Sequence, residues 1–287
     1  ATGMVEHYIG QEILANDYVE IFDGGTPSVM TSRLPLNNVY LVSEYDGTED
    51  VILNDPTSIG RPVTTDGESL TISFNGQAHV NTRVKRFGKS SVQFVAAADN
   101  LEAATVPDTL QFEDGDFTIE AYVRQDTTGI GDNNIFTIYE DSTNYLQLKF
   151  AAANALSITS RRGGSSITAL GDPETGRTTS NYAPREFMHV AASFDNQAQR
   201  MRLFRNGNLI QNVAFAASNN SFTSNVLVGE GLVGYMDELR ISDSARYKSA
   251  FTPSTHRLST DNDTVSLFHF DGPNKATQVT DAYNAYS

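Results

Sequence analysis

Runs of alternating polarity, each ended by a turn signal, are the feature that most constrains the fold of this chain. From Phe117 to Arg124, the residues Phe, Ile, Ala and Val lie at every second position, with Thr, Glu, Tyr and Arg between them. Successive side chains of a β-strand point to opposite faces, so this segment predicts a strand with one apolar face. Similar runs at 145–150 and 200–211, with Asp-Gly and Asn-Gly turns elsewhere in the chain, predict an all-β protein.

The Asn75-Gly76 dipeptide predicts a β-hairpin within residues 70–84. The buried face of a hairpin sets its register, and a three-residue loop keeps the apolar residues on one face. We therefore predict that Phe74 pairs with Ala78 in this hairpin.

The Asn206-Gly207 dipeptide predicts a second hairpin, within residues 200–211. Asparagine and glycine are favoured in two-residue loops because both positions take a positive φ. Such a loop pairs Phe204 with Leu209 on one face, and it pairs the residues before and after them, Leu203 and Ile210, on the other.

The composition excludes several classes of protein. The 287 residues include 35 acidic and 20 basic ones, a formal charge of −15, which disfavours binding to nucleic acid or insertion at an anionic membrane surface. The absence of cysteine excludes disulfides and zinc–thiolate sites, and it suggests a bacterial or viral protein made in a reducing cytosol. No apolar run reaches transmembrane length, and no signal-peptide pattern begins the sequence.

A series of motifs between residues 87 and 272 resembles laminin-G-like domains of the concanavalin A-like lectin superfamily. The motifs are Phe-Thr-Ile-Glu-Ala-Tyr-Val at 117–123, Phe-Met-His-Val-Ala at 187–191, Phe-Arg-Asn-Gly at 204–207 and Gly-Tyr-Met-Asp-Glu-Leu-Arg-Ile at 234–241. A further phrase, Leu-Phe-His-Phe-Asp-Gly at 267–272, resembles segments found beside such domains in bacteriophage virion proteins. The resemblance implies a sandwich of two antiparallel sheets.

Three regions follow from the motifs and the composition. We expect residues 1–84 to form a small N-terminal β module that serves in docking and oligomerisation. Residues 85–272 then form the laminin-G-like β-sandwich, and the polar residues 273–287 form a C-terminal tail.

The carboxylates that a glycan hydrolase of this superfamily needs are missing from the sequence. Its catalytic form, Glu-X-Asp-X-X-Glu, places acid and nucleophile on one face of a strand, and no such string occurs. Asp237 and Glu238 are adjacent, which on a regular strand directs them to opposite faces. We therefore expect that the protein is not an enzyme.

Three tyrosines are candidates for carbohydrate binding, because lectin-like sites stack aromatic rings on sugars and Tyr139, Tyr145 and Tyr182 lie in or near predicted loops. The alternative is that they are half-buried strand residues, and the chain has no tryptophan, which is the best stacking residue. A host surface glycan is the ligand that this hypothesis implies.

Calcium is the one cofactor that the sequence leaves open. The ion prefers six to eight oxygen ligands, and the resemblance implies a calcium site on loops of the sandwich. Asp114, Asp116 and Asp237 are the candidate ligands, although the alternative for Asp114 and Asp116 is a turn role beside Gly115.

The function that these observations favour is a non-enzymatic virion structural protein. We expect a phage capsid decoration or head-fibre protein, made in the host cytoplasm, that docks through residues 1–84 on the major capsid protein or another virion protein. Such proteins assemble around symmetry axes, so we expect a homo-oligomer, in particular a trimer. The alternative is a carbohydrate-binding adhesin or a tail receptor-binding protein.

Overall fold

The computed structural model describes residues 43–45, 50–52, 72–103, 110, 112, 115–126, 133–151, 154–171, 186–215, 222 and 224–279. The chain divides into two compact units, Ala1–Val63 and Thr64–Ser287. In the first unit, β1 (Ser43–Tyr45) and β2 (Asp50–Ile52) pair as antiparallel strands.

The second unit is built from short antiparallel strands. They are β3 (Ile72–Asn75), β4 (His79–Asn81), β5 (Ser91–Phe94), β6 (Asn100–Ala103), β7 (Phe117–Gln125), β8 (Asn133–Asp141), β9 (Asn144–Phe150), β10 (Leu156–Arg162), β11 (Ser165–Gly171), β12 (Met188–Asp195), β13 (Arg200–Arg205), β14 (Asn208–Ala214), β15 (Asn225–Val228), β16 (Gly234–Ser242), β17 (Thr264–Phe268) and β18 (Gln278–Val279). No α-helix occurs among the described residues, and none of them belongs to a helix long and apolar enough to cross a membrane.

These strands form two sheets that pack as a sandwich, as the sequence predicts. The first sheet has the order β11-β10-β9-β8-β15-β6-β3-β18. The second has the order β14-β13-β12-β7-β16-β5-β4, and β17 pairs with the second half of β16. Apolar side chains of both sheets meet in one core, where Phe117 stacks between Phe112 and Phe194 with ring centroids 4.2 Å apart on each side.

The predicted hairpin at residues 70–84 is wrong, because β3 and β4 lie in different sheets. β3 pairs with β6 and β18 in the first sheet, and β4 pairs with β5 in the second. The Asn75-Gly76 turn is therefore a corner between sheets, where the side chain of Asp99 accepts a hydrogen bond from the Gln77 amide at 2.8 Å. A buried face on each of two strands does not by itself show that the strands pair with each other.

The strand pairings also place the limits of the sandwich at other residues than the predicted boundaries. β3 and β4 precede residue 85, and β18 follows residue 272, yet all three belong to the sandwich. The last described residues also bond to β4, since the Val80 amide donates to the Ala276 carbonyl at 2.9 Å. The sandwich unit therefore begins near residue 64, and residues 273–279 complete it rather than starting a tail.

The hairpin of β13 and β14 confirms the predicted two-residue loop and corrects half of its register. Asn206 and Gly207 have φ values of 48° and 76°, and Phe204 pairs with Leu209 as expected. Leu203 pairs with Gln211 and not with Ile210, because a β-bulge interrupts the ladder between Leu203 and Phe204. Gly207 is also required by packing, since a Cβ at this position would overlap the carbonyl oxygen of Phe251.

Candidate functional site

Two tyrosines lie side by side on the outer face of the first sheet. Tyr139 of β8 pairs in register with Tyr145 of β9, and their rings stack with centroids 6.4 Å apart at an interplanar angle of 23°. Tyr139 is 42% exposed, although large hydrophobic side chains in the described part of the sandwich are mostly buried. The alternation of β8 and β9 places Ile138 and Leu146 in the core and turns both tyrosines outward. We call these two residues the tyrosine pair.

Polar side chains on the flanking strands continue the row that the tyrosine pair begins. Asn225 of β15 pairs with Tyr139, Arg161 of β10 pairs with Tyr145, and Ser166 of β11 pairs with Arg161. The side chain of Asn225 is held by Glu102, whose carboxylate accepts a hydrogen bond from Nδ2 at 3.1 Å. Five neighbouring strands therefore present one row of aromatic and polar groups, which we call the outer row.

Two tight turns support the outer row at one end of the sheet. In the β8–β9 turn, Asp141 accepts hydrogen bonds from the Thr143 amide at 2.7 Å and from the Asn144 side chain at 3.0 Å. These hydrogen bonds from Thr143 and Asn144 lower the pKa of Asp141 to about 2, so its carboxylate stays charged at neutral pH. The amides of Gly163 and Gly164 in the β10–β11 turn donate to Asn144 and Thr143, which ties the two turns together.

The outer row contains two of the three tyrosines that the sequence proposes for sugar binding. Tyr139 and Tyr145 were selected for their nearness to loops, and the structure places both in strands, in contact with each other. Tyr182 lies outside the described residues. Sequence reasoning missed Arg161 and Asn225, because only the pairing of β10 with β9 and of β15 with β8 brings them beside the tyrosines.

Residues 243–263, which connect β16 to β17, cover the outer face of β7 in the second sheet. Glu120 of β7 is fully buried there, and its Oε1 accepts two hydrogen bonds from Arg240, at 2.8 Å from Nε and 2.6 Å from Nη2. Its Oε2 accepts hydrogen bonds from His189 Nε2 at 2.9 Å and from the Tyr247 hydroxyl at 2.8 Å. Burial alone would raise the pKa of Glu120, but His189 and Arg240 outweigh it and lower this pKa to about 2.

Asp237 is fully buried and binds the backbone of the segment just before β5. Its Oδ2 accepts hydrogen bonds from the backbone amides of Arg86 at 2.8 Å and Phe87 at 3.0 Å, whereas no described residue bonds to Oδ1. Burial raises the pKa of Asp237 to about 7 despite the two amides. A β-bulge at this point breaks the alternation, with Glu238 at a φ of 54°.

Asp116 and Asp237, two of the predicted calcium ligands, lie far apart. Asp237 pairs with Tyr122, and the length of β7 between Tyr122 and Asp116 is about 20 Å at roughly 3.3 Å per residue. Asp116 accepts a hydrogen bond from the Asn196 amide at 2.6 Å, a contact between distant parts of the chain and not the local turn role beside Gly115. Asp114 lies outside the described residues, and the residues that are described contain no group of three acidic or histidine side chains able to hold a metal. Calcium binding stays a prediction.

The fold and the sequence place this chain in one superfamily. The family model of the concanavalin A-like lectin/glucanases superfamily matches residues 98–250, which is more than half of the chain. The chain therefore belongs to that superfamily. No curated protein sequence matches the chain.

Solved structures with similar folds include binding domains of toxins and of a sialidase. A botulinum neurotoxin type C structure, described by its dependence on two ganglioside molecules for cell entry, has a TM-score of 0.50 and 12% identity; the match covers 72% of this chain and 48% of that one. The CBM40 domain of the Ruminococcus gnavus IT-sialidase, bound to α2,6-sialyllactose, has a TM-score of 0.39 and 17% identity, over 47% of this chain and 79% of that one. At such identities the likeness extends to the fold alone.

Proposed function

We propose that the protein is a non-catalytic carbohydrate-binding protein and that its sugar site is centred on the tyrosine pair. The observation that carries this proposal is the stacked pair itself, in which Tyr139 is exposed and Tyr145 is half-buried. Tyrosine combines a large apolar ring with a polar hydroxyl, so a pair at the surface can contact the C–H faces of a sugar and also bond its hydroxyl groups. Exposed aromatic groups beside hydrogen-bonding side chains are typical of ligand sites.

The buried carboxylates support the non-catalytic part of this proposal. Glu120 and Asp237 are both fully buried. Glu120 is committed to Arg240, His189 and Tyr247, so it has no position from which to protonate a glycosidic oxygen. The botulinum neurotoxin that shares this fold is described as interacting with gangliosides, which is also a binding role.

Replacing Tyr139 by alanine tests the proposal. We expect glycans identified on an array to bind about tenfold or more weakly, which corresponds to a loss of roughly 1–3 kcal/mol for an aromatic contact residue. The melting temperature should barely change, because Tyr139 is exposed. The matched control is Leu209→Ala, since Leu209 is exposed by 37% on β14 of the other sheet. An array without any bound glycan would refute the proposal.

We further propose that this glycan-binding sandwich is displayed on a virion, as a capsid decoration or head-fibre protein. Support comes from the resemblance of residues 267–272 to virion proteins and from the lack of cysteine. In the sandwich, that phrase also has a structural use, since Asp271 accepts hydrogen bonds from the amides of Lys89 at 2.6 Å and Ser90 at 2.9 Å. An adhesin outside a virion is the alternative, and it requires the same sugar site.

Removing residues 1–63 separates these two settings. If the first unit docks on a particle and assembles the protein, the full chain is a trimer that binds capsids, and residues 64–287 form a folded monomer that does not. Light scattering after size-exclusion chromatography and co-sedimentation with capsids measure the two properties. A monomeric full chain that ignores capsids but binds glycan would favour the free adhesin.

A further inference from the structure

Arg161 is a half-buried cation next to the tyrosine pair, and no described residue forms an ion pair with it. It projects from the outer face of β10, directly across from Tyr145. No carboxylate, carbonyl or hydroxyl in the described part of the chain bonds to its guanidinium, and its Nε is fully buried without an acceptor. An arginine carries five N–H donors, and at Arg161 the buried Nε is unsatisfied while the terminal nitrogens are open to water or to a ligand.

Other arginines of the sandwich that are withdrawn from water have the acceptors that Arg161 lacks. The neighbouring Arg162 bonds Glu140 at 2.8 Å and lies over the ring of Phe222, 4.7 Å from its centroid. Arg202 bonds Asp195 at 3.0 Å, and Arg240 bonds Glu120. The buried Arg205 bonds the carbonyl oxygen of Asn154 at 2.7 Å instead of a carboxylate. Unlike these four, Arg161 has no acceptor among the described residues, so its guanidinium is available to an anionic ligand.

The outer row is long enough for one ligand to contact both Arg161 and the tyrosine pair. Neighbouring strands are about 4.8 Å apart, so the row from Asn225 to Ser166 spans roughly 19 Å across five strands. Cross-strand neighbours have Cβ atoms about 5 Å apart, so the side chains of Arg161 and Tyr145 start next to each other on the same face of the sheet. A saccharide that lies across the strands can contact both rings and reach Arg161 with a substituent.

We propose that the glycan bound by the tyrosine pair is acidic, and that Arg161 binds its carboxylate or sulfate group. This inference rests on the proposed carbohydrate-binding function. The planar guanidinium matches the geometry of carboxylate and sulfate oxygens and forms two parallel hydrogen bonds with them. The tyrosine pair supplies the contact with the sugar rings, and Arg161 supplies selection for charge.

The acidic character of the whole chain does not prevent this selection. The net charge of −15 acts over long distances, and at physiological salt charges more than about 8 Å apart are largely screened. The carboxylate of Glu140 is already bonded to Arg162, so it does not neutralise Arg161. The contact between Arg161 and an anion is direct and persists under these conditions. Rising salt should weaken binding of an acidic glycan more than binding of its neutral analogue.

Calorimetry on the full chain tests the inference with three oligosaccharides of one backbone: neutral, carboxylated and sulfated. We expect an acidic form to bind at least tenfold more tightly than the neutral form, and the better of the two acids identifies the group. Arg161→Ala should lower the ratio of acidic to neutral binding at least tenfold, whereas Arg161→Lys should keep part of the preference. The control Arg200→Ala removes the same charge from an exposed position on β13 and should keep the preference.

Each outcome of this experiment decides the inference. Equal binding of all three oligosaccharides by the unaltered protein would overturn the acidic-glycan inference, while leaving the proposed carbohydrate site in place. A preference for an acidic form that Arg161→Ala does not change would overturn the role of Arg161. Absence of binding to every glycan would overturn both the inference and the proposed function. The comparison among ligands needs no variant, so poor folding of Arg161→Ala would not prevent a decision.

Discussion

Replacing Glu120 by alanine is expected to lower the free energy of unfolding by about 3–5 kcal/mol, the usual cost of removing one partner from a buried ion pair. The variant leaves the guanidinium of Arg240, only 8% exposed, without its carboxylate. The hydrogen-bond donors of His189 and Tyr247 also lose their acceptor in a closed space. Urea unfolding followed by tyrosine fluorescence measures the loss.

A double-mutant cycle with Arg240 shows whether the loss arises from the pair. If it does, Glu120→Ala combined with Arg240→Ala destabilises the protein by much less than the sum of the two single changes, because neither charge is left alone. Additive losses would contradict the pairing. Glu120 lies on the outer face of the second sheet, whereas the outer row lies on the outer face of the first. The same variants should therefore bind glycan normally at temperatures where they stay folded.

Asp237 is expected to make the protein less stable as the pH rises from about 4 to about 7. Burial raises the pKa of this carboxyl to about 7, whereas the unfolded chain has a value of about 3.9. The unfolded state therefore loses its proton first, so the stabilisation is fully present below pH 4 and is lost as the pH rises through 7. At about 1.4 kcal/mol per unit of pKa, the effect amounts to a few kcal/mol.

Asp237→Asn should flatten this part of the stability–pH profile. The amide oxygen of asparagine can still accept the hydrogen bonds of Arg86 and Phe87, and the side chain no longer titrates. Thermal melts at pH 4, 5.5, 7 and 8 for both proteins give the comparison. A variant whose melting temperature falls in parallel with that of the unaltered protein would show that another group is responsible.

Asp261→Asn provides a control of opposite sign. Although burial opposes it, hydrogen bonds from Arg246 and Thr264 lower the pKa of Asp261 to about 2. A carboxyl with a lowered pKa stabilises the folded state above its unfolded value and loses that contribution as the pH falls. Removing Asp261 should therefore cost stability at pH 7 and little at pH 2, unlike the change at Asp237.

Local patterns in the sequence were sufficient to predict the fold class and the positions of several strands. The alternation at residues 117–124 predicts β7, and the positive φ values that Asn206 and Gly207 favour predict the turn between β13 and β14. These features depend on residues close together in the chain, through side-chain alternation and backbone preference. The two-sheet sandwich was predicted from the order of the family motifs.

Features that depend on distant residues were not readable in the same way. The corner at Gly76 looks like a hairpin turn, and only the pairing of β3 with β6 and of β4 with β5 separates the two strands into different sheets. The bulge at Glu238 likewise breaks the alternation that placed two acidic residues on opposite faces. In each case a register set across strands overrides the local pattern.

The sequence by itself determined that this protein is an all-β member of the lectin-like superfamily and that Tyr139 and Tyr145 are candidates for its ligand site. Only the tertiary structure decided that these tyrosines stack and that Arg161 lies beside them with no acceptor in the described part of the chain. It also decided that Glu120, which lies on the polar face of β7, is buried beneath residues 243–263. The physical reason is that strand formation follows local alternation, whereas neighbours across a sheet and the burial of its outer face follow from contacts between residues far apart in the chain.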